Sequence, residues 1–244
     1  MNGIVAMALS VMMALAALLT VAPQSVLAQQ SAGMGQSTVK LPSDVHPETY
    51  SRMPRVNRED LSTDEEKQAY DRLVKDDPDL VTAGVSLGGT GHRNYLPLIA
   101  ENYRASLGML RDKSGLERRY FEVAVLTATR EMDEAYEWVS HARNSTKLMP
   151  VEIIDAIKNK KDTAGLPEKD AVLIQYAREM IRGPKVSSKT FAAMDRLFGK
   201  KQTLALTLVM GYYAGNALLF RGFDQHLDAA RLRGEPYPFP ELLP

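Results

Sequence analysis

The chain has 244 residues, with 30 Lys and Arg balanced by 30 Asp and Glu, and it contains no cysteine. Zero net charge removes the electrostatic reason to expect a nucleic acid or an anionic membrane surface as partner. The absence of thiols excludes disulfides, thiolate metal sites and thiol-based redox or peroxidase chemistry.

Residues 4–22 are almost wholly apolar, Pro23 breaks the run, and Val26-Leu27-Ala28 offers small or aliphatic residues at −3 and −1 of a cleavage point. This pattern predicts a secretory signal peptide over residues 1–28, cleaved after Ala28, and so a periplasmic or secreted protein. No Lys or Arg precedes the run, which is nearly long enough to span a bilayer, so an uncleaved anchor is the competing reading. Residues 29–40 are small and polar, and 41–60 hold three prolines without periodicity, so 29–60 are expected to form a disordered or extended arm over the surface. From about Pro42 onward the chain is long enough for one sizeable core, with no repeat or linker to divide it.

A capping box at Ser62-Thr63-Asp64-Glu65 predicts a helix running to Lys75. Residues 80–94 contain Gly84, Gly88, Gly89 and Gly91, then His92 and Arg93. With no Walker-type lysine and no preceding strand, the expectation is a flexible connection whose glycines let backbone pass close to a site. Helical spacing recurs over 95–110, and 116–130 read as a central helix because Val123-Ala124-Val125-Leu126 is apolar on every side. Shorter helices start at Pro150 and Pro167, and another runs from Ser187-Ser188 to Gly199. Residues 202–220 carry no charge and are expected as a fully buried core helix, while 224–244 form an irregular tail. No stretch shows period-two alternation with turn signals, so the fold class is all-α, with residues 61–223 as the helical domain.

The candidate chemistry lies in residues 120–141. If 132–145 are helical, Glu134, Glu137 and His141 fall at i, i+3 and i+7, within about 60° of one face. Glu122, in the apolar run before them, is either a desolvated proton donor or acceptor or a structural ion pair with Arg118 or Arg119 one turn back. Tyr136 and Trp138 flank the acidic positions and are expected as pocket wall, with His92 and Tyr212 as further lining. His46 reads as surface, and His226 as a helix-end or interface residue. These residues are compatible with three functions. One is Glu/His acid–base catalysis without cofactor, with His141, Glu137, Glu122 and Glu134 as catalytic groups. The second is a metal site on Glu134, Glu137 and His141 completed by His92 or His226. The third is a non-catalytic helical oligomer that binds a hydrophobic small molecule or another protein.

Glu122 in FEVAVLTATR, Tyr136-Glu137-Trp138 and His141 in AYEWVSHA, the Leu166-to-Ala171 helix start and Gly211-Tyr212-Tyr213 together resemble the carboxymuconolactone decarboxylase family, over roughly residues 60–223. Its other branch is the AhpD-like alkylhydroperoxidases, in which a glutamate precedes a CxxC pair and a histidine lies four residues beyond the second cysteine. Glu134 and Glu137 stand where those cysteines would be, so the likeness is to a cysteine-free branch. The resemblance implies an AhpD-like helical bundle, a lyase or decarboxylase-like activity on a small, aromatic-derived acid or lactone, no cofactor, and assembly as trimers or hexamers. It implies no nucleic-acid partner, and no membrane once the signal is removed.

Overall fold

The computed structural model describes residues 41–232. Residues 1–28, expected as a signal peptide, residues 29–40 and residues 233–244 of the expected tail lie outside the described residues. Among the described residues the structure is all-helical, with one isolated bridge between His46 and Ser51 in place of any sheet. The helices are α1 (Asp64–Asp76), α2 (Gly88–Arg93), α3 (Pro97–Asp112), α4 (Arg118–Glu131), α5 (Ala135–Ser145), α6 (Val151–Lys158), α7 (Glu168–Arg182), α8 (Ser188–Phe223) and α9 (Ala229–Leu232).

α4 is the axis of the bundle, packed against α5, α6, α7 and α8 at once. Its sequence requires this position, because every residue from Phe121 to Glu131 is buried. A helix that is apolar on all sides can satisfy itself only inside other helices. Its two threonines keep their hydroxyls bonded within the helix, Thr127 to the Val123 carbonyl at 2.7 Å and Thr129 to that of Val125 at 3.0 Å.

Several sequence expectations need refinement. The first helix is capped one residue later than expected. Thr63 Oγ1 accepts from the Glu66 amide at 3.1 Å, and Glu66 Oε2 accepts from the Thr63 amide at 3.0 Å. Part of the glycine-rich connection is the short helix α2. The arm over 41–60 is pinned down by Val45, Thr49, Ser51 and Val56, which are buried, while its other residues stay exposed or half-exposed. The expected tail opens with one turn of helix, α9.

α8 holds two predicted helices in one. Gly199, expected as a stop, takes φ 72°, a left-handed conformation that glycine adopts without steric cost, and the chain kinks there and resumes as helix. Beyond the kink the helix is half buried, against the expectation of full burial. Leu206, Val209, Met210 and Tyr213 face the core, whereas Leu204, Leu208 and Leu218 are 60%, 51% and 59% exposed.

His92, expected in the pocket, instead fastens the arm to the bundle. Its Nδ1 donates to the Gly88 carbonyl at 2.8 Å, which leaves Nε2 to accept the Ser51 hydroxyl at 2.9 Å. The ring stacks on Phe223 at 5.5 Å, and the Arg52 amide donates to the Phe223 carbonyl beside it. Burial lowers the His92 pKa to about 4. The folded state therefore holds His92 neutral where the unfolded chain, at 6.5, has begun to bind a proton, so stability is full above pH 6.5 and lost as pH falls towards 4. Between those values the protein should lose up to ~3 kcal/mol from this residue. Urea unfolding midpoints measured across that range should show a steep decline in the wild type and a shallower one in His92→Gln.

Candidate active site

The site begins with a charge inside α4. The Glu122 side chain is 1% exposed, and such a carboxylate demands partners. Arg118, one turn earlier, brings Nη2 to 2.6 Å of Oε1, while His141 Nδ1 lies 2.7 Å from Oε2. Burial pushes the Glu122 pKa up, but the hydrogen bond and charge of His141, together with Arg118, outweigh it and hold the carboxyl below its usual value. The two sequence readings of Glu122 thus coexist in one side chain, ion-paired to Arg118 and bonded to the imidazole.

An ionised Glu122 fixes the tautomer of His141. Nδ1 carries the proton and donates it, so in the neutral ring Nε2 presents its lone pair. Opposite Nε2, at 3.1 Å, stands the Tyr213 hydroxyl from the inner face of α8. Burial raises the Tyr213 pKa, so its hydroxyl stays protonated and donates to Nε2. Glu137, one turn before His141 on α5, places Oε2 3.8 Å from the same nitrogen. Its other oxygen, Oε1, accepts from Asn216 Nδ2 at 2.7 Å. Burial raises the Glu137 pKa, against the opposing charge of His141.

Glu134 does not join this face. Asp133, in the left-handed region at φ 51°, interrupts the helix expected over 132–145, and α5 starts only at Ala135. Glu134 is its N-cap, each carboxylate oxygen accepting a backbone amide, Oε1 that of Tyr136 at 2.6 Å and Oε2 that of Glu137 at 2.9 Å. Burial lifts its pKa to about 8, with the charge of Glu137 acting the same way. Oxygens committed to a helix end are poorly placed to bind a metal alongside Glu137 and His141. Among the described residues no group of three or more His, Asp or Glu side chains is arranged to hold a metal ion.

A cavity of about 140 Å³ lies beside the pair, lined by Gly89, Thr90, Leu107, Glu137, Tyr212, Tyr213 and Asn216. That is the liquid volume of roughly five waters. His141 stands behind this wall, one hydrogen bond away through Tyr213. Two larger spaces adjoin. A polar pocket of about 300 Å³ shares Gly89, Thr90 and Glu137 with the cavity and is rimmed by Asp77, Asp79, Ser86 and Arg231. A largely apolar groove of about 730 Å³ between α3 and α8 shares Tyr212 and is lined by Tyr103, Met109, Leu110 and Leu208.

Of the residues expected to bind substrate, Tyr212 lines both cavity and groove, and Tyr136 borders the polar pocket. Trp138 is fully buried in the hydrophobic core, because on α5 it is one residue, about 100° of arc, from Glu137 and faces the other way. His226 lies away from the imidazole, beside Asp224 at 3.3 Å, and half-exposed His46 pairs with Glu48 at 3.3 Å. Three residues with evident roles were not among the expected site residues: Tyr213, Asn216 and Arg93. The signal for the first two is their polarity within the uncharged stretch 202–220, three positions apart and so on one helical face.

No known family model matches the chain, and comparison with curated proteins returns no match.

Replacing Glu134 by Ala should lower stability by about 1 kcal/mol, the loss of a helix cap. It should leave the His141 ring chemical shifts in place, since the ring lies beside Glu122, Glu137 and Tyr213 and makes no contact with Glu134. Chemical denaturation and a histidine-detected NMR spectrum measure the two.

Proposed function

We propose that this protein is an acid–base enzyme of the lyase or decarboxylase-like kind, acting with its own side chains on a small organic acid or lactone. The observation that carries the reading is the chain Arg118–Glu122–His141–Tyr213, in which an ionised, buried carboxylate holds an imidazole with its free nitrogen one hydrogen bond from a cavity. Glu122 orients the ring and stabilises the imidazolium formed when Nε2 takes a proton. Tyr213 is the group that meets the ligand. Its hydroxyl passes a proton to Nε2 as it accepts one, or donates to oxygen where negative charge develops. Glu137, whose raised pKa favours the protonated form, is the complementary acid. One group ready to accept and another ready to donate, 3.8 Å apart, is the arrangement that shifts a proton between two atoms of one substrate.

The cavity limits the part of the substrate that reacts, while the groove beyond Tyr212 offers room for an apolar or aromatic remainder. This size relation supports an aromatic-derived substrate. The residues used here are also those that carry the resemblance to the carboxymuconolactone decarboxylase family, which supports the same chemistry and an AhpD-like bundle.

Self-association belongs to the same reading. Leu204, Leu208, Gly211 and Leu218 are exposed on α8, with half-buried Gly215 among them, at alternating steps of four and three, the spacing of a seam that packs against another helix; Leu208 and Gly211 also line the groove, whose outer side such a helix would close. A second copy of the chain is the proposed partner. Leu208→Glu, which sets a charge in mid-seam, should convert the assembly to monomer in sedimentation velocity; an unchanged profile removes this part of the proposal.

The catalytic reading is tested by deuterium uptake. Small carboxylic acids and lactones with a proton next to a carbonyl are incubated with the protein in heavy water and monitored by NMR. Wild type should exchange one class of them. His141→Gln should lower that rate on the order of 10²–10⁴-fold with an unaltered circular dichroism spectrum. Retained exchange in His141→Gln would refute the assignment.

A further inference from the structure

The glycine-rich segment and the uncharged half of α8 meet at a group that the proposed chemistry has not yet used. Arg93, at the end of α2, donates from Nη2 to Asn216 Oδ1 at 2.9 Å and from Nη1 to the Gly89 carbonyl at 3.0 Å. Its guanidinium lies over the Tyr103 ring at 3.8 Å, and Tyr103 stacks in turn on Tyr212 at 4.1 Å. The Arg side chain is thereby held by a carbonyl, an amide and an aromatic face, on a part of the molecule that also walls the cavity.

Arginine has only donors. Facing it, the Asn216 amide must turn its oxygen towards Arg93, and its NH2 must then point the other way, at Glu137 Oε1. Of the two oxygens of a protonated carboxyl, the carbonyl oxygen is much the better acceptor, and the amide N–H claims it at Oε1. When Glu137 is protonated, the proton therefore sits on Oε2, the oxygen nearest His141 Nε2 and the cavity. Without Arg93 the amide is free to turn over, and Glu137 can protonate on either oxygen.

We infer that Arg93, acting through Asn216, is a positioning residue that confines the exchangeable proton of Glu137 to Oε2. The inference rests on the acid–base reading for its purpose and on the hydrogen-bond geometry alone for its existence. It also explains Gly89. A Cβ there would meet Arg93 Nη1 at 2.9 Å and the Asn216 amide at 3.1 Å, so a side chain at this position would push both members of the brace aside.

The test uses full-length protein labelled with [13C]glutamate, in which Glu137→Gln identifies the Glu137 carboxyl signal. The Asn216 hydrogen bond and the Arg93 charge both favour the ionised form of Glu137. Arg93→Met and Asn216→Leu should therefore each move its titration to higher pH by about half a unit or more. Arg93→Lys, which keeps the charge and loses the fork, should move it less. Gly89→Ala, which disturbs the brace from outside without removing any of its groups, should shift it in the same direction. Circular dichroism and melting temperature establish that each variant is folded. Unchanged Glu137 titration in the folded variants, or a shift confined to Glu122 or Glu134, overturns the inference. The two proposals separate cleanly. A shifted Glu137 signal in a protein that exchanges no substrate proton leaves the brace standing and removes the catalytic reading. Exchange that depends on His141, beside a Glu137 titration that Arg93→Met and Asn216→Leu leave unmoved, does the reverse.

Discussion

A charge inside the most deeply buried helix of the bundle sets the terms for its surroundings. Glu122 lies in the second turn of α4, fully buried, where taking a carboxylate from water costs several kcal/mol unless other groups replace the lost solvent. Arg118 replaces it on one oxygen and His141 on the other. That requirement explains features that would otherwise be unrelated. It sets the distance between α4 and α5, because the imidazole must reach the carboxylate. It sets the tautomer of the ring, because an ionised acceptor can bind only the protonated nitrogen. It also directs the remaining nitrogen at α8, so that Tyr213 becomes the group at the cavity wall.

The site is thus assembled from four helices, each held by a local device. α5 starts where it does because Asp133 takes a left-handed conformation and Glu134 then caps the first turn. This shift of two or three residues brings Glu137 and His141 to the inner face and takes Glu134 out of it. α2 comes close to α8 because Gly89 has no side chain. The polar residues of α8 point inward from an otherwise apolar helix and find partners there, Tyr213 with His141 and Asn216 with Arg93 and Glu137. Buried polar groups linked in this way specify a single arrangement, since displacement of one member leaves another unsatisfied.

Much of the fold was legible in the chain. The order of the helices, the prolines and glycines between them and the burial of residues 121–131 arise from periodicity and composition, which act within a few turns of backbone. Glu122, Glu137 and His141 were legible for a related reason: ionisable residues in apolar helices are conspicuous and need an explanation. Two of the failures share one cause. His92 and Trp138 were placed in the pocket because they are chemically suitable, but which way a suitable side chain faces depends on the partner packed against it. His92 found Ser51, 41 positions away, and Trp138 found the core.

By itself, then, the sequence determined that the described residues are helical, that the chain has no thiol of its own to contribute, and that a carboxylate and an imidazole would have to be reconciled with an apolar interior. These are matters of residue type and short-range spacing. Only the tertiary structure decided which groups meet: Tyr213 across from His141, Asn216 between Arg93 and Glu137, and Glu134 at a helix end. Each of those meetings joins residues of different helices or depends on where a helix begins, and a one-dimensional pattern carries no information about the angle at which two helices approach.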